Sequence, residues 1–173
     1  MEKYDIYLNM KIINYCIVLL VMLVIFSTCK TSNEKQIDFN YQYLRTSKHE
    51  NTNPIITTVF SRSELEKYYE KSCPNDYYPD ENIDYFAKIF RNSIENYSNE
   101  FFIDYFLVII LINEKNCSIR HEVEKIDEYG EILINRLLPI EMTDDLAEWH
   151  IVIELEKKYY ENIFVLKIVD KNI

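Results

Sequence analysis

Phe106-Leu107-Val108-Ile109-Ile110-Leu111-Ile112 is an unbroken run of seven apolar residues. It is too short for an independent helix and rich in β-branched side chains. It predicts a strand buried on both faces at the centre of a sheet. The segments around it change period. Upstream, Ile83, Phe86, Ala87, Phe90, Ile94 and Tyr97 recur at steps of three and four, which predicts an amphipathic helix with one stripe toward a core. Ser98 is placed to cap one further turn through Phe101 and Phe102. Earlier still, Ile55 to Phe60 reads as a strand. Ser61 or Ser63 then caps a helix through Leu65 and Tyr69, and Ser63 is favoured because Glu66 follows it at the capping-box spacing. Two prolines between Cys73 and Asp80 end that helix.

Downstream, Ser118 to Ile126 alternates in polarity. Tyr129-Gly130 marks a hairpin turn, and Gly130 is the one glycine of the chain. Retention of glycine in so glycine-poor a sequence predicts a positive φ there. Glu131 to Leu137 pairs back, and Glu141 to Asp145 is a polar connection after Pro139. Trp149, Ile151, Ile153 and Leu155 then alternate with His150, Val152 and Glu154, and Ile163 to Val169 forms the last strand. Helices and strands come in separate runs. The expected class is therefore α+β, an antiparallel sheet of about five to six strands with two helices packed on one side.

The domain is preceded by a second apolar run, Ile12 to Phe26, 15 residues interrupted only by Asn14. That length suits the core of an export signal and falls short of a spanning helix, for which roughly 18 residues are expected. Lys11 supplies the positive charge in front, and Met10-Lys11 makes a better start than the net-acidic residues before it. Ser27-Thr28-Cys29 follows and resembles the lipobox of bacterial lipoproteins, in which the cysteine is thioether-linked to diacylglycerol. Phe26 and Thr28 depart from the usual Leu and small residue. The simpler alternatives are an uncleaved anchor or ordinary cleavage near Cys29. The expected organisation is a signal with candidate lipidation site Cys29 over 1–29, a polar tether over 30–36 and a single domain over 37–173.

Without Glu2, Lys3, Asp5 and Lys11 the chain keeps 17 basic and 27 acidic residues, still net −10. That balance disfavours nucleic acid and anionic lipid as partners, because both require clustered Lys and Arg. Of the cysteines, Cys16 and Cys29 fall in the signal. Cys73 and Cys117 remain, and in an exported protein they could close a 45-residue loop stabilising by about 4 kcal/mol. Two unjoined thiols are the other reading.

Three histidines occur. His49 sits in a polar loop. His121 and His150 lie on expected strands, but His121 shares parity with Ile119 and Val123, and His150 with Val152 and Glu154. The two therefore face different ways. No H-x-x-H or C-x-x-C spacing is present, so neither a metal nor a cofactor is expected. Arg120, His121, His150 and Glu154 make a candidate ligand or interaction patch, against the simpler reading of a cross-strand ion-pair ladder. Asp144-Asp145 with Glu154 could serve as paired carboxylates, although such pairs are more often turn and cap residues. Ser118, His121 and Asp127 lack the glycine pattern of a nucleophile elbow. Trp149 reads as a core residue.

Asn116-Cys117-Ser118-Ile119-Arg120-His121 and Leu146-Ala147-Glu148-Trp149-His150-Ile151-Val152-Ile153-Glu154 resemble segments of a family of uncharacterised secreted proteins and lipoproteins of low-GC Gram-positive bacteria. Members carry a Ser-Gly-Ser-Ile-Arg-His-like segment and an Ala-Glu-Trp-His-Ile strand. Here Cys117 replaces the Gly. The likeness covers roughly residues 55 to 169, and the layout is distantly similar to the PrcB-like β domain, without its Thr-Gly-Gly-Tyr motif. The resemblance implies a cell-surface domain and no particular activity.

These features lead to an extracytoplasmic lipoprotein anchored to the bacterial cell membrane by its N-terminus. Its domain is expected to bind a protein or cell-envelope component. The alternatives are an envelope hydrolase using acidic residues near Arg120, His150 and Glu154, or a small-ligand-binding lipoprotein.

Overall fold

The computed structural model describes residues 35–46, 54–73, 85–141 and 145–173; Met10, Cys29, His49 and Asp144 lie outside them. The apolar run Tyr105–Glu114 (β3) is a strand, with Phe106, Leu107, Val108, Ile109 and Ile110 all at 0% exposure. It is central in a four-stranded antiparallel sheet of order β1-β6-β3-β2, formed with Asn40–Thr46 (β1), Ile55–Val59 (β2) and Ala147–Glu156 (β6). Arg120–Ile126 (β4), Glu131–Leu138 (β5) and Val165–Asn172 (β7) make a second, three-stranded sheet of order β4-β5-β7.

The α+β class holds. The strands are divided between two sheets, and β7 runs parallel to β5, whereas β4 and β5 form the expected antiparallel hairpin. Strand parity decides what each side of β3 touches. Phe106, Val108, Ile110 and Ile112 point into a core shared with Val123, Ile126, Ile132 and Ile134 of the small sheet. Leu107 and Ile109 point the other way, onto Leu65, Phe90, Ile94 and Phe102 of the helical layer. The fold is thus three layers: helices, large sheet, small sheet. Both faces of β3 are dry because each has its own cover.

The helical layer comprises Arg62–Ser72 (α1), Tyr85–Glu95 (α2) and the single turn Phe101–Asp104 (α3). The N-cap of α1 is Ser61, not Ser63. Its Oγ accepts from Glu64 N at 3.2 Å, and Glu64 Oε2 accepts from Phe60 N at 2.7 Å. The capping box therefore sits two residues earlier than the Ser63–Glu66 pairing, and Glu66 instead receives Arg62 Nε at 2.9 Å. Arg62 also donates through Nη1 to the carbonyls of Ile94 and Tyr97. It thereby satisfies acceptors left over at the end of α2 and pins the two helices together.

Gly130 has φ +92°. It accepts from Val165 N at 3.0 Å, and a Cβ there would lie 2.8 Å from the Ile163 carbonyl oxygen. Asp127 Oδ1 completes the turn by accepting from Tyr129 N and Glu131 N. Lys35 and Gln36, expected in the tether, already belong to the fold. Lys35 O accepts from Glu128 N at 3.1 Å, and Gln36 bridges Asp127. No helix among the described residues is long and apolar enough to cross a membrane.

Candidate functional site

His150 faces the helical layer from β6 and has no exposed surface. Its Nδ1 lies 2.8 Å from the Tyr68 hydroxyl of α1, and its Nε2 lies 3.1 Å from both Glu148 Oε1 and Thr46 Oγ1. Thr46 Oγ1 donates to Glu148 Oε1 at 2.5 Å. Glu148 and Thr46 are 3% and 2% exposed, so a carboxylate, an imidazole and two hydroxyls share one dry site. With the proton on Nε2, the ring donates to Glu148 and Nδ1 accepts from Tyr68, which closes the chain without an orphaned ring nitrogen. Burial pushes the Tyr68 hydroxyl well above its ordinary pKa, reinforced by the Glu148 charge and opposed by a bond with Ser72. Tyr68 therefore stays a phenol, suited to hydrogen bonding and unsuited to attack as a phenolate. Aromatic packing completes the site: the His150 ring lies 5.0 Å from that of Phe90 and 5.7 Å from that of Tyr68.

A second polar cluster sits between the two sheets. Glu114, the last residue of β3, accepts from Arg136 Nε and Nη2 at 2.7 Å each and from His121 Nε2 at 2.9 Å. Arg136 reaches on to Asp170 Oδ1 at 3.3 Å. Burial pushes the Glu114 carboxyl up, but the hydrogen bonds and charges of Arg136 and His121 outweigh it and leave the group below the ordinary carboxylate range. In turn the hydrogen bonds to Glu114 first, then the charges of Glu114 and Asp170, raise Arg136 further above its already high value against the opposing effect of burial. Chemically this is an ionic clamp joining β3 of one sheet to β4, β5 and β7 of the other.

A third chain runs Gln42–Tyr97–Glu154. Tyr97 donates to Glu154 Oε1 at 2.9 Å and accepts from Gln42 Nε2 at 2.7 Å.

The nominated patch is therefore split. His150 and Glu154 share the helix-facing side of β6, each with partners of its own. His121 is buried between the sheets and bound to Glu114, and Arg120 is exposed on β4. The four do not form one site, because β4 and β6 belong to different sheets. Of the two readings for the cysteines the structure carries the second: Cys73 and Cys117 are not joined to each other. Cys73 caps α1 within the helix-side core, whereas Cys117 sits in the turn between β3 and β4. Asp145 lies 3.9 Å from Arg45. Trp149 is only half-buried, with Arg45 stacked 5.9 Å from its ring centre. Among the described residues no group of three metal-capable side chains converges.

Tyr68, Thr46, Glu148, Glu114 and Arg136 do not stand out as site residues in the sequence. Two of them carry a signal there. Glu148 shares strand parity with His150, and Glu114 is the charge that ends the apolar run of β3.

Tyr68 also lines an open groove of about 350 Å³ between α1 and β2. Lys67 and Lys71 stand on its helical wall, and Ile55, Val59 and Leu111 line its floor. No family model, curated protein or solved structure matches this chain.

Proposed function

We propose that the protein is an extracytoplasmic lipoprotein, tethered to the bacterial membrane through Cys29, whose folded domain binds a protein or cell-envelope component. The observation that carries the location is the apolar run Ile12–Phe26 leading into Ser27-Thr28-Cys29. A binding role is supported by how the reactive side chains are used. His150 is held by Glu148, Thr46 and Tyr68, His121 by Glu114, and Glu154 by Tyr97. The two histidines are committed to internal partners in dry surroundings and the half-buried Glu154 to Tyr97, so these side chains hold layers together and recognition is left to the surface. The hydrolase alternative draws no support from this geometry, since Arg120 stands on a different sheet from His150 and Glu154.

The test is metabolic labelling with a palmitate analogue in a bacterial host, with and without Cys29→Ala. Label is expected in the membrane fraction and should vanish in the variant. Label retained by Cys29→Ala, or unlabelled chain in the cytoplasm, sinks the proposal.

A further inference from the structure

Every open sheet has edges that could recruit another strand, and folded proteins usually guard them with charge. Three edges of this fold follow that rule. β1 carries Arg45, β4 carries Arg120, Glu122 and Lys125, and β7 carries Lys167, Asp170 and Lys171. The fourth does not. β2, Ile55-Ile56-Thr57-Thr58-Val59, has no charged residue, and among the described residues it pairs only with β3. In an antiparallel ladder alternate residues turn their backbone groups toward the neighbour, so the rest of β2's N–H and C=O groups face outward.

This edge borders the groove between α1 and β2. The groove is lined by both Thr57 and Thr58, whose side chains project to opposite faces of the sheet, so it runs along the backbone edge itself. α1 forms the far wall. Glu64, Lys67 and Lys71 all line the groove; the Glu64 carboxylate is engaged by Phe60 N at the helix start, so the groove is net positive by one charge and its two ammonium groups lie farther along α1.

We propose that β2 accepts an extended acidic peptide as an added strand, held between β2 and α1. Main-chain hydrogen bonds to β2 supply the affinity and alternate side chains the specificity. Lys67 and Lys71 are spaced by about 6 Å along the helix axis. Same-face residues of an extended strand repeat at roughly 6.7 Å. Two acidic residues separated by one other residue therefore match the two ammonium groups in register, in a protein otherwise net negative. This partner chemistry rests on the proposed binding role, yet it is independent of export.

The test uses the full chain in nanodiscs of zwitterionic lipid and a fluorescent capped peptide, Thr-Glu-Val-Glu-Val-Thr. One counterpart carries Lys for both Glu residues, and another carries Pro for the central Val. The expected result is binding of the Glu peptide about tenfold or more tighter than either counterpart, weakening with salt. Lys67→Glu with Lys71→Glu should reverse the charge preference; both side chains are exposed, so the fold is retained. Amides of Ile55–Val59 should gain hydrogen-exchange protection in the complex. Equal binding of the three peptides, protection at β7 instead of β2, or no binding overturns the proposal. A chain that is labelled at Cys29 yet ignores every peptide removes the groove and leaves the tethered location standing. Peptide binding without label does the converse.

Discussion

Replacing Glu114 with Gln should remove the ionic clamp between the two sheets without changing the volume of the side chain. The carboxylate accepts two charge-assisted hydrogen bonds from Arg136 at 2.7 Å and one from His121 at 2.9 Å, and its side chain is 4% exposed. Breaking a buried pair by neutralising one member typically costs about 3–5 kcal/mol, mostly because the other charge is left unmatched. Arg136 keeps 28% side-chain exposure and has Asp170 at 3.3 Å, so the lower figure, about 3 kcal/mol, applies. Denaturant unfolding at pH 7, followed by Trp149 fluorescence, measures the loss. The pH dependence gives a second check. The folded carboxyl has a lowered pKa, so its contribution is complete above the unfolded value of about 4.3 and disappears as pH falls through the lower folded value. The gap between wild type and Glu114→Gln should therefore be constant from pH 7 down to about 5 and narrow steadily as pH falls below the unfolded carboxylate value of about 4.3. Adding Arg136→Met to Glu114→Gln should recover about 2 kcal/mol, since the orphaned guanidinium goes with it. A variant within about 1 kcal/mol of wild type at pH 7, or a gap that persists undiminished at low pH, refutes the clamp.

Two further outcomes follow from the geometry. Gly130→Ala should cost about 2–3 kcal/mol and lower the Tm by roughly 6–10 °C. Gly130→Asn, usually tolerated at positive φ, should do no better because the Ile163 carbonyl blocks any Cβ; rescue by Asn would mean that the backbone dihedral alone sets the cost. His150→Phe should cost about 3 kcal/mol by taking a donor from the buried Glu148, which keeps Thr46, and leaving the Tyr68 hydroxyl without its acceptor, whereas Tyr68→Phe, which deletes one terminal hydrogen bond, should cost about 1 kcal/mol. Equal effects in urea unfolding would contradict the proposed order of the network.

Local patterns carry the elements well. The seven-residue run of β3 announces burial on both faces, the three-and-four spacing announces α2, and Gly130 announces its own φ. Layering is harder. Alternation along β4 or β5 says that one face is apolar and is silent on whether a helix or another sheet covers it. The small sheet thus reads as a continuation of the large one. The parallel placement of β7 is equally hidden, because the crossover from β6 to β7 has the length of an ordinary connection. In α1 two serines compete for one cap. Glu64 decides the outcome by turning back onto Phe60 N, a contact that residue spacing does not separate from the Ser63–Glu66 alternative.

The two buried histidines show why the candidate site is only half legible. Parity groups His121 with the apolar residues of its strand, and it is buried; it groups His150 with Glu154, opposite the Trp149 face taken for the core, yet His150 is fully buried and Trp149 only half-buried. What parity cannot supply is the partner. Tyr68 is 82 residues from His150, Thr46 is 104 away, and Arg136 is 22 from Glu114. Thr46 is brought in by the pairing of β1 with β6, and Tyr68 and Arg136 by the stacking of layers. Once those partners are known, the histidines acquire parallel roles. Each sits on the inward face of a strand, and each is fixed by a buried carboxylate. His150 ties β6 to β1 and α1, while His121 helps tie β4 to β3. An unpaired buried carboxylate is costly, so each layer junction tolerates only the one packing that satisfies it. Polar chemistry in this interior thus specifies how the layers stack.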